Sequence, residues 1–199
     1  SWQSGAVQRG AAAVKWKIIA VTADMGLTVQ NILVFGRRET PRRQLLSAVR
    51  LARGAPILAF DPEDARKRVE QLPWVRTATV ERRLPDTILL RIVERQPMAL
   101  WQQRGRFALI DPDGVVIEED GNGRFPGLLV VVGEDAPAFA AQLQQVLMTE
   151  PELMVRVKAA VRVGGRRWNL RLDNGIDVRL PEADAASAWA RLAEYERSH

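Results

Sequence analysis

The chain offers few side chains able to do chemistry, and their spacing narrows the field further. Its one histidine is the last residue, His199, and it has no cysteine. Histidine-based triads, histidine metal sites, thiolate zinc sites and cysteine nucleophiles are therefore not expected. Asp111-Pro112-Asp113-Gly114, followed by Glu118-Glu119-Asp120, has the acidity of a calcium loop. Such a loop needs its glycine at the sixth position and a carboxylate at the twelfth. Here the glycine comes fourth, so a hairpin turn is expected. Gly164-Gly165-Arg166-Arg167 lacks the second glycine and the Lys-Ser/Thr pair of a phosphate loop, and also reads as a tight turn. The carboxylate pairs Glu118/Glu119 and Asp177/Glu182 read as surface charges. No cofactor, small-molecule substrate or enzymatic activity is expected.

Basic residues are the remaining chemical signal. Residues 1–60 hold nine Lys/Arg against two Asp/Glu, whereas residues 61–199 hold 20 against 22. Lys15 and Lys17 flank Trp16, and Arg37-Arg38 and Arg42-Arg43 flank a helix start. Phosphate backbones or anionic headgroups could bind such patches. Single-strand binding also needs aromatics exposed between the bases, and here most aromatics fall at inward-looking positions. A solvated basic face is therefore expected rather than a nucleic-acid site. Arg outnumbers Lys by 25 to 4, in an even scatter that fits a codon bias better than a binding stripe.

The elements that position these residues are short. With 47% hydrophobic residues, the chain can build one large domain or two small ones. No run reaches the roughly 18–20 apolar residues of a membrane span. Ala11–Met25 reads as a short helix, Leu27–Phe35 as a strand, and Thr40 as the N-cap of a helix that starts at Pro41 and runs to about Arg53. Asp61-Pro62 opens a second helix with Glu63 and Asp64 in its first turn. Trp74–Arg83 and Thr87–Arg95 then form a hairpin around Leu84-Pro85-Asp86. Beyond Gln96-Pro97 the pattern changes to short strands at Met98–Gln102, Arg106–Ile110, Val115–Glu118 and Leu128–Val132. A helix follows at Ala136–Met148, with Phe139, Leu143, Val146 and Leu147 inward. Strands come next at Met154–Val163, Arg167–Leu172 and Ile176–Leu180. Pro181 and Glu182 open a last helix, striped with Ala185, Trp189, Leu192 and Tyr195.

The order β-α-α-β-β over residues 27–96 is that of a POTRA domain, and the detail resembles the bacterial cell-division family FtsQ (DivIB). The resemblance is carried by Val34-Phe35-Gly36 with Thr40, the Pro56–Phe60 link, Leu72-Pro73-Trp74-Val75, Arg83-Leu84-Pro85-Asp86-Thr87, Val93-Glu94-Arg95-Gln96-Pro97, Ala99-Leu100-Trp101 and Asp111-x-Asp113-Gly114-Val115. It implies an α+β protein with three parts. Residues 1–26 are a juxtamembrane lead-in, residues 27–96 a POTRA domain, and residues 97–199 a β-rich domain with two helices. The family continues past the last helix into further strands, so the β domain is expected to be truncated at His199. The family also implies a single-pass inner-membrane protein whose anchor precedes this chain and whose POTRA and β domains lie in the periplasm at the septum. There it is a non-enzymatic scaffold that binds FtsB and FtsL, mainly through the β domain, while the POTRA domain contacts upstream proteins such as FtsK. Two other readings stay open: a POTRA-containing outer-membrane assembly or secretion partner, and a basic nucleic-acid-binding protein.

Two partner surfaces are expected. In a β-α-α-β-β sheet the first and third strands pair in parallel, leaving Trp74–Arg83 on an edge. Arg76, Thr77, Thr79, Glu81 and Arg83 would lie on or near that edge, and a proline at Thr79 would disrupt pairing there. In the β domain, Ile176–Leu180 and the last helix should border the FtsB site, with Arg179, Glu194 and Arg197 as contacts. Trp189, Leu192 and Tyr195 are expected to close the core.

Overall fold

The structure is a computed structural model that describes residues 26–119 and 123–198, together with Lys17, Val21 and Thr22. The helix expected at Ala11–Met25 and the terminal His199 therefore lie outside the described residues, apart from those three positions. The chain divides into two compact units, Ser1–Glu94 and Arg95–His199.

In the first unit, β1 (Asn31–Phe35), α1 (Arg42–Val49), α2 (Pro62–Val69), β2 (Val75–Arg83) and β3 (Thr87–Glu94) follow one another. The sheet order is β1-β3-β2, with β1 parallel to β3 and β2 antiparallel to it. The expected pairing holds, and β2 is an edge strand. Leu45 and Val49 of α1, Ala65 and Val69 of α2, and Ile57 pack with Val75, Ala78, Val80, Ile88, Leu90 and Ile92 on one face of the sheet. Gly36, after β1, is required: its φ is +84°, and a Cβ would lie 2.0 Å from the Ile92 carbonyl oxygen.

Several boundaries depart from expectation. Thr40 does not cap α1. Its hydroxyl is committed to Glu94, and Pro41 occupies the N-cap without a side-chain bond. The helix stops at Val49 rather than near Arg53, because Arg50 turns into the left-handed region at φ 53°. By contrast, Asp61 caps α2 as expected, accepting from the Glu63 and Asp64 N–H groups. Strict alternation along β2 would place Thr77 with Val75. A bulge between them leaves Arg76 and Thr77 both exposed and turns Val75, Ala78 and Val80 into the core.

In the second unit, β4 (Ala99–Gln103), β5 (Arg106–Ile110), β6 (Val116–Glu119) and β7 (Leu129–Val132) are followed by α3 (Ala136–Leu147) and the single turn α4 (Pro151–Met154). Then come β8 (Val157–Val163), β9 (Arg167–Leu172), β10 (Asp177–Leu180) and α5 (Ala185–Ser198). The sheet order is β10-β9-β8-β7-β4-β5-β6. The β4–β7 and β7–β8 pairs are parallel, and the rest are antiparallel. The helices cover one face. Trp189 is fully buried there, and its indole N–H donates to the Leu147 carbonyl at 3.1 Å. Trp101 donates to the Gly133 carbonyl at 2.8 Å.

Three expectations fail in this unit. Met154 belongs to α4 rather than to a strand, since Pro151 starts a helical turn. The last helix begins at Ala185, because Asp184 has φ 62°. Phe139 and Tyr195 are exposed, 37% and 60%, so two aromatic positions read as inward face out. The acidic and glycine motifs behave as turns. Asp111 accepts from the Asp113 and Val115 N–H groups and pairs with Arg95 at 2.7 Å. Gly164 and Gly165 both have positive φ at the β8–β9 hairpin.

Candidate partner-binding edges

Among the described residues the first sheet has β1 and β2 at its edges and the second β6 and β10, and the contacts expected from sequence fall on β2, on β10 and on α5. An edge strand presents unpaired N–H and C=O groups to which another chain can add. In an antiparallel pair these groups alternate, one residue bonding its neighbour strand and the next facing away. One hydrogen bond fixes the parity in each case.

On β2, the Ala78 N–H donates outward to the Glu70 carboxylate at 2.9 Å. Alternation then places the outward backbone groups at Ala78, Val80 and Arg82. Thr77, Thr79, Glu81 and Arg83 turn their backbone towards β3, with which they pair in register at Val93, Arg91, Leu89 and Thr87. Their side chains, with that of Arg76, lie on the solvated side: Arg76, Thr77, Thr79 and Arg83 are exposed and Glu81 is half-buried. Glu81 and Arg83 form an ion pair at 3.2 Å. The five residues named from sequence therefore share a face, but the open backbone belongs to their neighbours. A proline at Thr79 would break the β2–β3 ladder rather than a partner's. Glu70 blunts the edge at Ala78. Helix α2 holds Glu70 in place through Arg66, which also bonds Glu63, so the Arg66 guanidinium stays firmly charged.

On β10, the Leu172 N–H donates to the Ile176 carbonyl at 2.9 Å across the turn. Alternation then gives Val178 and Leu180 to β9 and faces the backbone of Asp177 and Arg179 outward. Arg179 is exposed and opposite Asn169, while Asp177 accepts the Arg171 guanidinium. Arg156 joins the β9–β10 turn to the last turn of α5, contacting Asp173 at 3.2 Å and also Glu196. This clamp runs α5 alongside β10. Glu194 is exposed near its end, and Arg197 is exposed but paired with Glu150 at 2.8 Å. The two carboxylates hold Arg156 charged, and Glu150 does the same for Arg197.

Sequence reasoning missed three exposed apolar residues close in the chain to this ion-pair cluster. Ile176, Val155 and Tyr195 are 51%, 76% and 60% exposed. Tyr195 falls on the helix's apolar stripe, which hid it; Ile176 and Val155 fall inside the runs read as the strands Ile176–Leu180 and Met154–Val163.

A three-stranded POTRA sheet followed by a mixed β unit with one helix-covered face defines the class: a POTRA-plus-β-domain protein. The FtsQ-type POTRA domain matches residues 27–95, and the family described as cell division protein FtsQ/DivIB, C-terminal, matches residues 99–199. The chain belongs to the FtsQ/DivIB family. Among its relatives, cell division protein FtsQ of Rhizobium meliloti (strain 1021) is 38% identical over 178 residues, which are 89% of this chain and 58% of that protein. FtsQ of Caulobacter vibrioides (strain NA1000 / CB15N) is 38% identical over 175 residues, 88% of this chain and again 58% of the relative. The chain thus spans little more than half the length of these relatives. A solved structure, the major extracytoplasmic domain of the trans isomer of DivIB from Geobacillus stearothermophilus, is similar at 16% identity and a TM-score of 0.37, covering 53% of this chain and 98% of that one. Among the described residues no helix is long and apolar enough to cross a membrane.

Proposed function

We propose that this chain is the periplasmic part of a non-enzymatic division scaffold that receives an extended segment of an FtsB/FtsL-type partner on the open edge of β10. The observation that carries the proposal is the outward backbone of Asp177 and Arg179 on an edge strand, with the exposed apolar residues Ile176, Val155 and Tyr195 close in the chain to the Arg156 ion pairs. Backbone bonds would supply affinity, and these apolar residues with Arg179 and Glu194 would supply register and choice of partner. The membership of the family supports a place in the divisome, anchored in the inner membrane and gathered at the septum.

The β2 edge is the second candidate surface, for an FtsK-type partner. Its exposed face carries Arg76, Thr77, Thr79 and Arg83, yet Glu70 already occupies one outward N–H. That makes β2 the weaker acceptor of a long strand.

Calorimetric titration of the chain with an FtsB–FtsL extracytoplasmic complex tests the proposal. Saturable heat that weakens on charge reversal at Arg179 or Glu194 is expected. A folded chain that gives no binding overturns it.

A further inference from the structure

Helices α1 and α2 leave an open groove of about 480 Å3 between them in the first unit. Arg43, Arg50 and Arg68 line it, with Gln44, Ser47 and Gln71, and among the described residues no carboxylate does. Arg68 is held in place by the end of α1: its Nε donates to the Ala48 carbonyl at 2.8 Å and its Nη2 to the Val49 carbonyl at 3.1 Å. Arg43 and Arg50 are exposed and have no ion pair among the described residues. Arg50 sits at the left-handed C-cap of α1, with φ 53° and ψ 47°. Glycine or asparagine is the residue that position favours. An arginine there costs local stability and directs a guanidinium to the groove.

We propose that this groove binds the phosphate of an anionic phospholipid headgroup. Three guanidiniums without a carboxylate suit a group bearing several acceptor oxygens, and the Ser47 hydroxyl and the two glutamine amides add donors. An open groove suits a headgroup presented at a surface rather than an enclosed small molecule. The α1 wall of the groove, with Arg43 and Arg50, also lies in the part of the sequence that holds the basic excess, nine Lys/Arg against two Asp/Glu in residues 1–60. Attraction between such a patch and an anionic leaflet acts over about a Debye length and weakens with salt.

Flotation of the 199-residue chain with phosphatidylglycerol-containing vesicles, beside phosphatidylcholine vesicles, tests this. Binding to the anionic vesicles alone is expected. The R43A/R50N variant, whose asparagine keeps the left-handed cap, should weaken it by about thirtyfold, the product of two surface arginines. R91A/R106A removes the same charge from elsewhere on the surface and should change it by less than about threefold. Equal losses in the two variants would reduce the effect to net charge and overturn the site. Indifference to vesicle composition would also overturn it. Binding of inorganic phosphate by a chain that ignores both vesicles would make this a free-anion site and reject the lipid.

Discussion

The Thr40 hydroxyl donates to the Glu94 carboxylate at 2.6 Å, joining the loop before α1 to the last residue of β3. The same carboxylate accepts the Thr40 N–H at 2.8 Å and the Glu39 N–H at 3.0 Å. Thr40 and Glu94 are 1% and 8% exposed. Burial alone would raise the Glu94 pKa. The bonds from the Thr40 hydroxyl and from the N–H groups of Glu39, Thr40 and Arg38 outweigh it, and the net shift is downward.

A lowered folded pKa means that the ionised form is stabilised by folding. The contribution of Glu94 is therefore complete above the unfolded carboxylate range and disappears as pH falls through the lower folded value. Urea unfolding between pH 7 and pH 3 should show E94Q losing about 1–3 kcal/mol at neutral pH and showing less of the acid-driven decline than the wild type. Parallel declines would place the pH dependence elsewhere.

The buried Asp111 supports the second unit in a comparable way, with two N–H donors and Arg95 at 2.7 Å. Its side chain is 2% exposed and that of Arg95 17%. D111A should cost about 3 kcal/mol, since it strands a partly buried guanidinium and two N–H groups. R95M should cost less. A double-mutant cycle with D111A that shows no coupling would deny the pair its role.

Gly36 and Gly54 share a φ of +84°, but only Gly36 faces a wall, the Ile92 carbonyl. G36A should therefore destabilise the first unit by several kcal/mol, and G54A by about 1 kcal/mol from backbone strain alone. Thermal unfolding of the two variants separates steric from conformational cost.

Much of this architecture is legible in the sequence. Asp61-Pro62 caps α2, Asn174-Gly175 turns the β9–β10 hairpin, and alternating apolar residues mark β3 and β9. What escaped depends on contacts remote in sequence. Thr40 has the type and position of an N-cap, but Glu94, 54 residues away, claims it. Periodicity assigns Thr77 to a face, and one bulge reverses it. The candidate edges were legible as strands, yet which backbone groups are open was not. That parity is set by the Ala78–Glu70 and Leu172–Ile176 bonds.

The same parity predicts a contrast within β2. T79P removes an N–H that β3 uses and should unfold the first unit or cost several kcal/mol. R82P removes an outward N–H and should be tolerated far better. Circular dichroism with urea titration compares them directly, and equal stability would refute the assigned parity.

Strand addition at β10 makes its sharpest prediction for a proline at Arg179. Calorimetry would measure an FtsB–FtsL extracytoplasmic complex against the wild-type chain, R179P and R82P. R179P removes an outward N–H while leaving the bonds of Val178 and Leu180 to β9 in place. A folded R179P chain should lose at least tenfold in affinity, with R82P close to wild type. A folded R179P chain that binds as the wild type does would contradict strand addition at β10.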